Sequence, residues 1–314
     1  MRFFGPDEVA AALPWPALIQ SIEDIFVADG AVAPERTVHQ VEVPGRADST
    51  LLLKPGWIVG DVIAVKVVTF FPENGQLDLA TINAGVLLFS ATDGTFLGAC
   101  DGNVLTAMRT PAASAVAAKR LARPDVQTLL VVGTGALSPM TAKAHSAVRD
   151  YQKIIVWGRS AEKAAAVVES LAGADDIDAS EVVVSDDLDA SVSEADVISC
   201  VTGATSPLVK GALLKEGTHV DLIGSFTPDM RESDDDVVRR ARVWVDTIAD
   251  GILAGDIAQP LESGLLQLDD IEGNLAQLVA GDCPERGGDA EITLFKSAGT
   301  ALEDVAAAKL VFES

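Results

Sequence analysis

Three basic residues stand where a folded chain seldom places a charge without a use. Lys66 lies within Val62-Ile63-Ala64-Val65-Lys66-Val67-Val68, and in a strand it shares a face with Ala64 and Val68. An ammonium on an apolar face is costly unless paired. Two readings are open, an edge-strand lysine facing water and a lysine aimed into a site, and the apolar neighbours favour the second. Arg109 lies in an alanine-rich stretch, 105–121, that predicts one long helix; its competing reading is a solvated helix face. Arg36 follows Pro34-Glu35 on a predicted loop and says little by itself. Cations of these kinds neutralise a carboxylate taken out of water, and a guanidinium holds it through two parallel hydrogen bonds.

A second constellation is Gly133-Thr134-Gly135-Ala136-Leu137-Ser138. It joins a predicted strand, 128–132, to a predicted helix, 138–148. Gly133 permits the tight turn, Gly135 lets the backbone approach a pyrophosphate, and Ser138 supplies the small residue needed where helix meets strand. The free N–H groups of the helix start then face the phosphates. Alone such a motif is weak and could be a mere turn; its strand–helix setting makes it specific. The end of the next strand reads Gly158-Arg159-Ser160. An acidic residue there would accept from a ribose 2′-hydroxyl, whereas Arg159 and Ser160 suit a 2′-phosphate. The competing reading is a surface arginine beside a helix N-cap. The residues predict NADP(H) as preferred cofactor, with NAD(H) possible.

These groups need a scaffold. Residues 7–28 have helical periodicity. Short apolar runs at 38–43, 50–53, 62–70, 86–89 and 96–100 alternate with Pro, Gly, Asn and Asp, which are strand and turn signals. Asp93-Gly94 predicts a hairpin turn. From 128 onward strands and helices alternate, with strands at 128–132, 153–157, 182–184, 197–200, 219–223 and 243–245. Six strands with crossover helices predict an α/β fold with a Rossmann, doubly wound parallel sheet. A helix over 299–310 is predicted to return to the first domain. The prediction is therefore a Rossmann domain at 118–282 and a discontinuous α+β substrate-binding and dimerisation domain at 1–117 and 283–314.

Composition excludes more than it assigns. A net charge of -24 repels phosphate backbones and anionic lipid, so neither nucleic acid nor a membrane is expected as partner. No stretch has the ~20 apolar residues of a membrane span, and the first residues lack the long apolar run of a signal peptide. Cys100, Cys200 and Cys283 are scattered, as are His39, His145 and His219; no metal site is expected, and reduced thiols fit a cytoplasmic protein.

The whole chain resembles the ornithine cyclodeaminase / mu-crystallin family. The resemblance rests on Pro34-Glu35-Arg36, on Val65-Lys66-Val67-Val68-Thr69 with Pro72-Glu73-Asn74, and on Asp101-Gly102 leading to Leu105-Thr106-Ala107-Met108-Arg109-Thr110. Further on it rests on the glycine loop, on Gly224-Ser225-Phe226-Thr227-Pro228-Asp229-Met230-Arg231-Glu232, and on Phe295-Lys296-Ser297-Ala298-Gly299-Thr300-Ala301-Leu302-Glu303-Asp304. It implies a homodimer formed through the first domain and a small α-imino or α-amino acid substrate. It also implies that Arg36, Lys66 and Arg109 are the catalytic and substrate-binding positions. Thr81, Arg109, Val201, Thr202 and Gly224 join the Gly133–Ala136 loop and Gly158–Ser160 as cofactor positions. Leu137 replaces a frequent Gln of the family, and Lys54 stands where many members carry Met; Lys54 reads as a charged strand end.

Within that family the reading is an NAD(P)H-dependent reductase, mu-crystallin-like, of pyrroline-2-carboxylate or piperideine-2-carboxylate, a ketimine reductase of amino-acid metabolism. The alternatives are ornithine cyclodeaminase, then alanine dehydrogenase, then a non-enzymatic NADP-dependent ligand-binding protein. Cyclodeaminases carry an aspartate in a Gly-Asp-Cys-Pro-like segment. Aligning Pro228 and Glu232 with it puts Phe226 at that position, which argues against ornithine; Asp229 is the nearest carboxylate that a shifted loop would bring in.

Overall fold

The computed structural model describes residues 2–314. The chain forms two compact units, Met1–Arg109 with Thr300–Ser314, and Thr110–Gly299.

The first unit is built on strands β1 (Arg2–Phe4), β2 (Ala31–Val32), β3 (Thr37–Val41), β4 (Ser49–Ile58), β5 (Val62–Phe70), β6 (Ile82–Ser90) and β7 (Phe96–Asp101). They form one sheet in the order β1-β7-β6-β5-β4-β2, with β3 also on β4. β4 to β7 are antiparallel and β1 runs parallel to β7. Gly94 makes the β6–β7 turn with φ +76, and Asp93 Oδ1 accepts from Thr95 N at 3.0 Å. On β5, Val62, Ala64 and Lys66 are buried while Ile63, Val65 and Val67 are half-buried, so alternation sets one face against the helices. The helix Ala301–Glu313 covers that face, packing on β4, β5, β6 and the helix Trp15–Phe26. The packing is close: a Cβ on Gly56 would lie 2.9 Å from Val305 Cγ2. Residues 7–28 are two helices rather than the single one predicted, Pro6–Ala12 and Trp15–Phe26. Pro14 between them has no N–H to continue the first ladder.

The second unit holds β8 (Thr128–Val132), β9 (Lys153–Trp157), β10 (Glu181–Ser185), β11 (Val197–Cys200), β12 (His219–Leu222), β13 (Ala241–Val245), β14 (Ile271–Asn274) and β15 (Ile292–Lys296). All pairings are parallel, in the order β10-β9-β8-β11-β12-β15-β13-β14. The order reverses between β8 and β11, which is the doubly wound pattern. Along β8, Leu130 and Val132 enter one apolar cluster and Leu129 and Val131 the other, so both faces are buried, as parallel sheets require.

Two strands, β14 and β15, add to the six predicted. β15 inserts between β12 and β13, so the chain returns to this sheet after 283. That moves the division of the chain to 299/300, and the helix Gly102–Leu121 is divided at 109/110 rather than at 117/118. The strand was illegible because it follows a run rich in Gly, Asp and Glu and no crossover helix stands directly before it to mark strand–helix alternation. No helix among the described residues is long and apolar enough to cross a membrane.

Candidate active site

In the first unit, β4 and β5 pair so that Lys54 is the direct cross-strand partner of Lys66. Both ammonium groups point under the helix Ala301–Glu313, whose first turn carries Glu303 and Asp304. Thr300 caps that helix, with its hydroxyl toward Leu302 N and Glu303 Oε1 accepting from Thr300 N at 3.2 Å. Lys66 Nζ donates to Asp304 Oδ1 at 2.7 Å and to Thr106 Oγ1 at 3.3 Å. Lys54 Nζ lies 3.3 Å from Asp304 Oδ2. Arg109, from the helix Gly102–Leu121, donates to Glu303 and places Nε 2.8 Å from Asp304 Oδ1. All five side chains are buried. Arg36 is half-buried on the loop before β3, near enough for its charge to act on Lys54.

Charge and burial compete here. Burial, and next the Arg109 charge, hold the Lys66 pKa well below that of a free lysine, against the pull of Asp304. Burial lowers Lys54 as well, again opposed by Asp304 and reinforced by Arg109. For Asp304 burial alone would raise the pKa, but Arg109, Lys54 and Lys66 together hold it below the usual carboxylate range. Three buried cations face two carboxylates. Basic groups held out of water in this way suit the binding of an anion.

Lys54 corrects the sequence reading: it is no strand end facing water but a full member of the cluster. The signal was present, since Leu51-Leu52-Leu53-Lys54 repeats the pattern of a lysine within an apolar strand. In sequence, Glu303 and Asp304 stand within the segment Phe295–Asp304 that resembles the family. They read as ordinary acidic residues of a helix start, and only the return of that helix over β4 and β5 gives them their partners.

In the second unit a cleft of about 530 Å³ opens at the C-terminal ends of β8, β9 and β11. Gly133, Thr134, Gly135, Gly158, Arg159, Ser160, Val201 and Thr202 line it, with Lys163 and the segment Gly203–Ser206 added. Gly133 has φ +132, and a Cβ there would lie 2.8 Å from Val201 O. A Cβ on Gly135 would meet nothing within 4 Å, so that glycine faces open space. Ser138 donates to Gly133 O at 2.8 Å and fastens the helix Leu137–Ser146 to the loop. Ala136, the N-cap of that helix, offers no side chain to its first turn, so backbone N–H groups face outward there. An open glycine, an uncapped helix start and a basic far rim together fit a dinucleotide phosphate backbone.

Ser160 caps the helix Ala161–Leu171, accepting from Lys163 N at 3.3 Å, and it also lines the cleft. Arg159 and Lys163 are exposed on the same rim. Gly224 lies behind the wall rather than in it, where a Cβ would come within 2.0 Å of Thr202 O. Thr81 belongs to the first unit, where its carbonyl accepts from Phe71 N at 2.8 Å.

The fold and this cleft define a nucleotide-binding α/β protein of the doubly wound class. More particularly, the chain belongs to the ornithine cyclodeaminase/mu-crystallin family, whose profile it matches over residues 8–314. It is 40% identical over 286 residues to Protein SAR DEFICIENT 4 of Arabidopsis thaliana, covering 90% of this chain and 87% of that one. It is 34% identical over 317 residues to Delta(1)-pyrroline-2-carboxylate reductase of Colwellia psychrerythraea, covering 100% and 99%. Among solved structures, Delta(1)-pyrroline-2-carboxylate reductase of Thermococcus litoralis in complex with NADH and L-proline superposes with a TM-score of 0.92 at 32% identity, covering 100% and 97%.

Proposed function

We propose that this protein is an NAD(P)H-dependent reductase of small cyclic α-imino acids, converting pyrroline-2-carboxylate or piperideine-2-carboxylate to L-proline or L-pipecolate. The observation that carries the reading is the buried cluster in which Lys54, Lys66 and Arg109 meet Glu303 and Asp304. A substrate carboxylate completes it.

The reduced dinucleotide supplies hydride to the carbon of the C=N bond. Arg109 and Arg36 bind and orient the carboxylate, and Lys66 holds a proton for the nitrogen. An ammonium whose pKa burial has lowered gives that proton up more readily than a free lysine would. Asp304 keeps Nζ in place at 2.7 Å. Most of the gain is orientation and electrostatic stabilisation of developing charge.

Two finer readings accompany this one. The cofactor is NADP(H) by preference, supported by Arg159, Lys163 and Ser160 on one rim of the cleft and by the absence of an acidic residue in Gly158-Arg159-Ser160. The protein is a cytoplasmic homodimer that pairs through the sheet of the first unit. Trp57, Ile63, Val65, Val67, Leu87 and Phe89 are cross-strand neighbours on the face away from the helices, all half-buried in the single chain. A contiguous apolar face of that kind marks an interface, and three free cysteines suit a reducing compartment.

Decay of NADPH absorbance with both cyclic imines, with pyruvate plus ammonia and with no substrate tests the activity. Turnover of the cyclic imines well above the other two arms is the expected result. Equal turnover of pyruvate plus ammonia would overturn it.

A further inference from the structure

The polar cluster behind the cleft wall takes no part in the chemistry above. Glu232 is fully buried, on the segment before the helix Asp235–Arg240. Its Oε1 accepts from Thr202 N at 2.7 Å and Thr202 Oγ1 at 2.9 Å. Its Oε2 accepts from Gly224 N at 2.7 Å and Ser225 N at 3.3 Å. One carboxylate thus joins the chain just past β11 to the chain just past β12, and Thr202 is part of the cleft wall. The approach is too close for any side chain at Gly224.

Glu232 is itself anchored. Its N–H donates to Asp256 Oδ1 at 2.9 Å, and Ser233 N and Oγ converge on the same oxygen. Lys296 of β15 donates to Leu222 O at 3.0 Å and lies 3.8 Å from Asp256 Oδ2. A further titratable neighbour is Cys200 of β11, whose thiol burial keeps protonated.

We propose that Glu232 is a positioning residue for the dinucleotide, whose ionised carboxylate holds Thr202 and Gly224 in the register that shapes the cleft wall. The inference rests on reading the Gly133–Leu208 cleft as the cofactor site. Four donors converge on two oxygens, so a proton on either oxygen meets a donor hydrogen and at least one tie must rearrange. Burial, with Asp256 adding to it and Lys296 and Thr202 opposing, raises the Glu232 pKa to about 7. The wall therefore loosens as pH falls through that value, and cofactor affinity falls with it. Stability moves the other way. A carboxyl with a raised folded pKa contributes most below its ordinary 4.5, and that contribution is lost as pH rises through about 7. A merely structural role would move affinity and stability together.

The test is NADH binding by fluorescence titration at pH 6 to 8.5, with thermal unfolding alongside, for the full-length protein and E232Q. NADH avoids the titrating 2′-phosphate of NADPH. In E232Q one oxygen becomes an amide that faces Gly224 N and Ser225 N donor to donor. The expected result is a wild-type Kd that rises several-fold from pH 8.5 to 6. E232Q should bind about tenfold more weakly at pH 8.5, the scale of losing a charge-assisted contact, with no step in Kd near pH 7 and kcat within about threefold of wild type. A variant with a lower melting temperature and an unchanged Kd overturns the inference, as does the same pH step in both proteins. If E232Q does not fold, Thr202→Val, which deletes the hydroxyl's ties to Glu232 and to Ala204 N and keeps the Thr202 N tie, must still weaken NADH binding while the wild-type pH step persists. Wild type that binds no NADH at any pH instead overturns the reading of the cleft.

Discussion

At the scale of single residues, the cluster around Asp304 makes the sharpest demands. Lys66→Met and Arg109→Met each remove a cation proposed to act on the substrate. Each should lower kcat/KM on cyclic imino acids by at least ~100-fold, the scale of one lost transition-state contact. Lys54→Met removes one buried cation from the cluster. It should cost about tenfold in kcat/KM, through weaker attraction for a carboxylate at a site where Lys66 and Arg109 remain. Steady-state kinetics on the three variants checks this, and near wild-type turnover in K66M or R109M would return that residue to a structural role. Part of this site was legible beforehand. Lys66 declared itself by its apolar neighbours, and Lys54 carried the same signal but was read as a strand end. Glu303 and Asp304 gave no such sign, because two acids in a capped first turn are ordinary.

At the scale of elements, loops at strand ends set specificity. The turn after β9 presents Arg159 beside the N-cap Ser160 and the first-turn Lys163. Arg159→Asp should weaken NADPH binding by ~1–3 kcal/mol and add repulsion, while NADH suffers much less. Equal losses for both cofactors, read by fluorescence titration, would show that Arg159 does not touch the 2′-phosphate. The loop after β12 carries Phe226, exposed by 57%. The nearest acid on that loop, Asp229, is exposed and accepts from Thr227 Oγ1 at 2.6 Å. With a phenyl ring at that position and Asp229 turned to Thr227, ornithine should be turned over far more slowly than pyrroline-2-carboxylate is reduced. Proline and ammonia formed from ornithine with oxidised cofactor measure this; rates comparable to imine reduction would falsify it.

At the scale of the whole molecule, the net charge of -24 and the apolar sheet face pull in opposite directions. Charge keeps copies apart, while Val65, Val67 and Leu87 favour covering that face with a second copy. The apolar term is local and dense, whereas repulsion between exposed charges is screened over ~8 Å at physiological salt. Val65 is central on β5 and pairs with Leu87 across the strands. Val65→Asp should convert the proposed dimer to monomer in sedimentation velocity and lower thermal stability. A dimer that survives this change would place the interface elsewhere.

The sequence by itself determined the parallel, doubly wound sheet and its glycine loop, because buried strands and crossover helices write a periodic pattern into consecutive residues. It also determined the hairpin at Asp93-Gly94, a long helix over 105–121 and the odd lysine of β5, all of them local properties. Tertiary structure alone decided that β15 inserts between β12 and β13, since strand order within a sheet is not written in consecutive residues. Tertiary structure alone also brought Asp304 to Lys66 across 238 positions of chain and Glu232 to Thr202 across 30. A charge in sequence carries no record of its partner; only the packing of Ala301–Glu313 over β4 and β5, and of β11 beside β12, turns those acids from helix caps and loop residues into parts of a site.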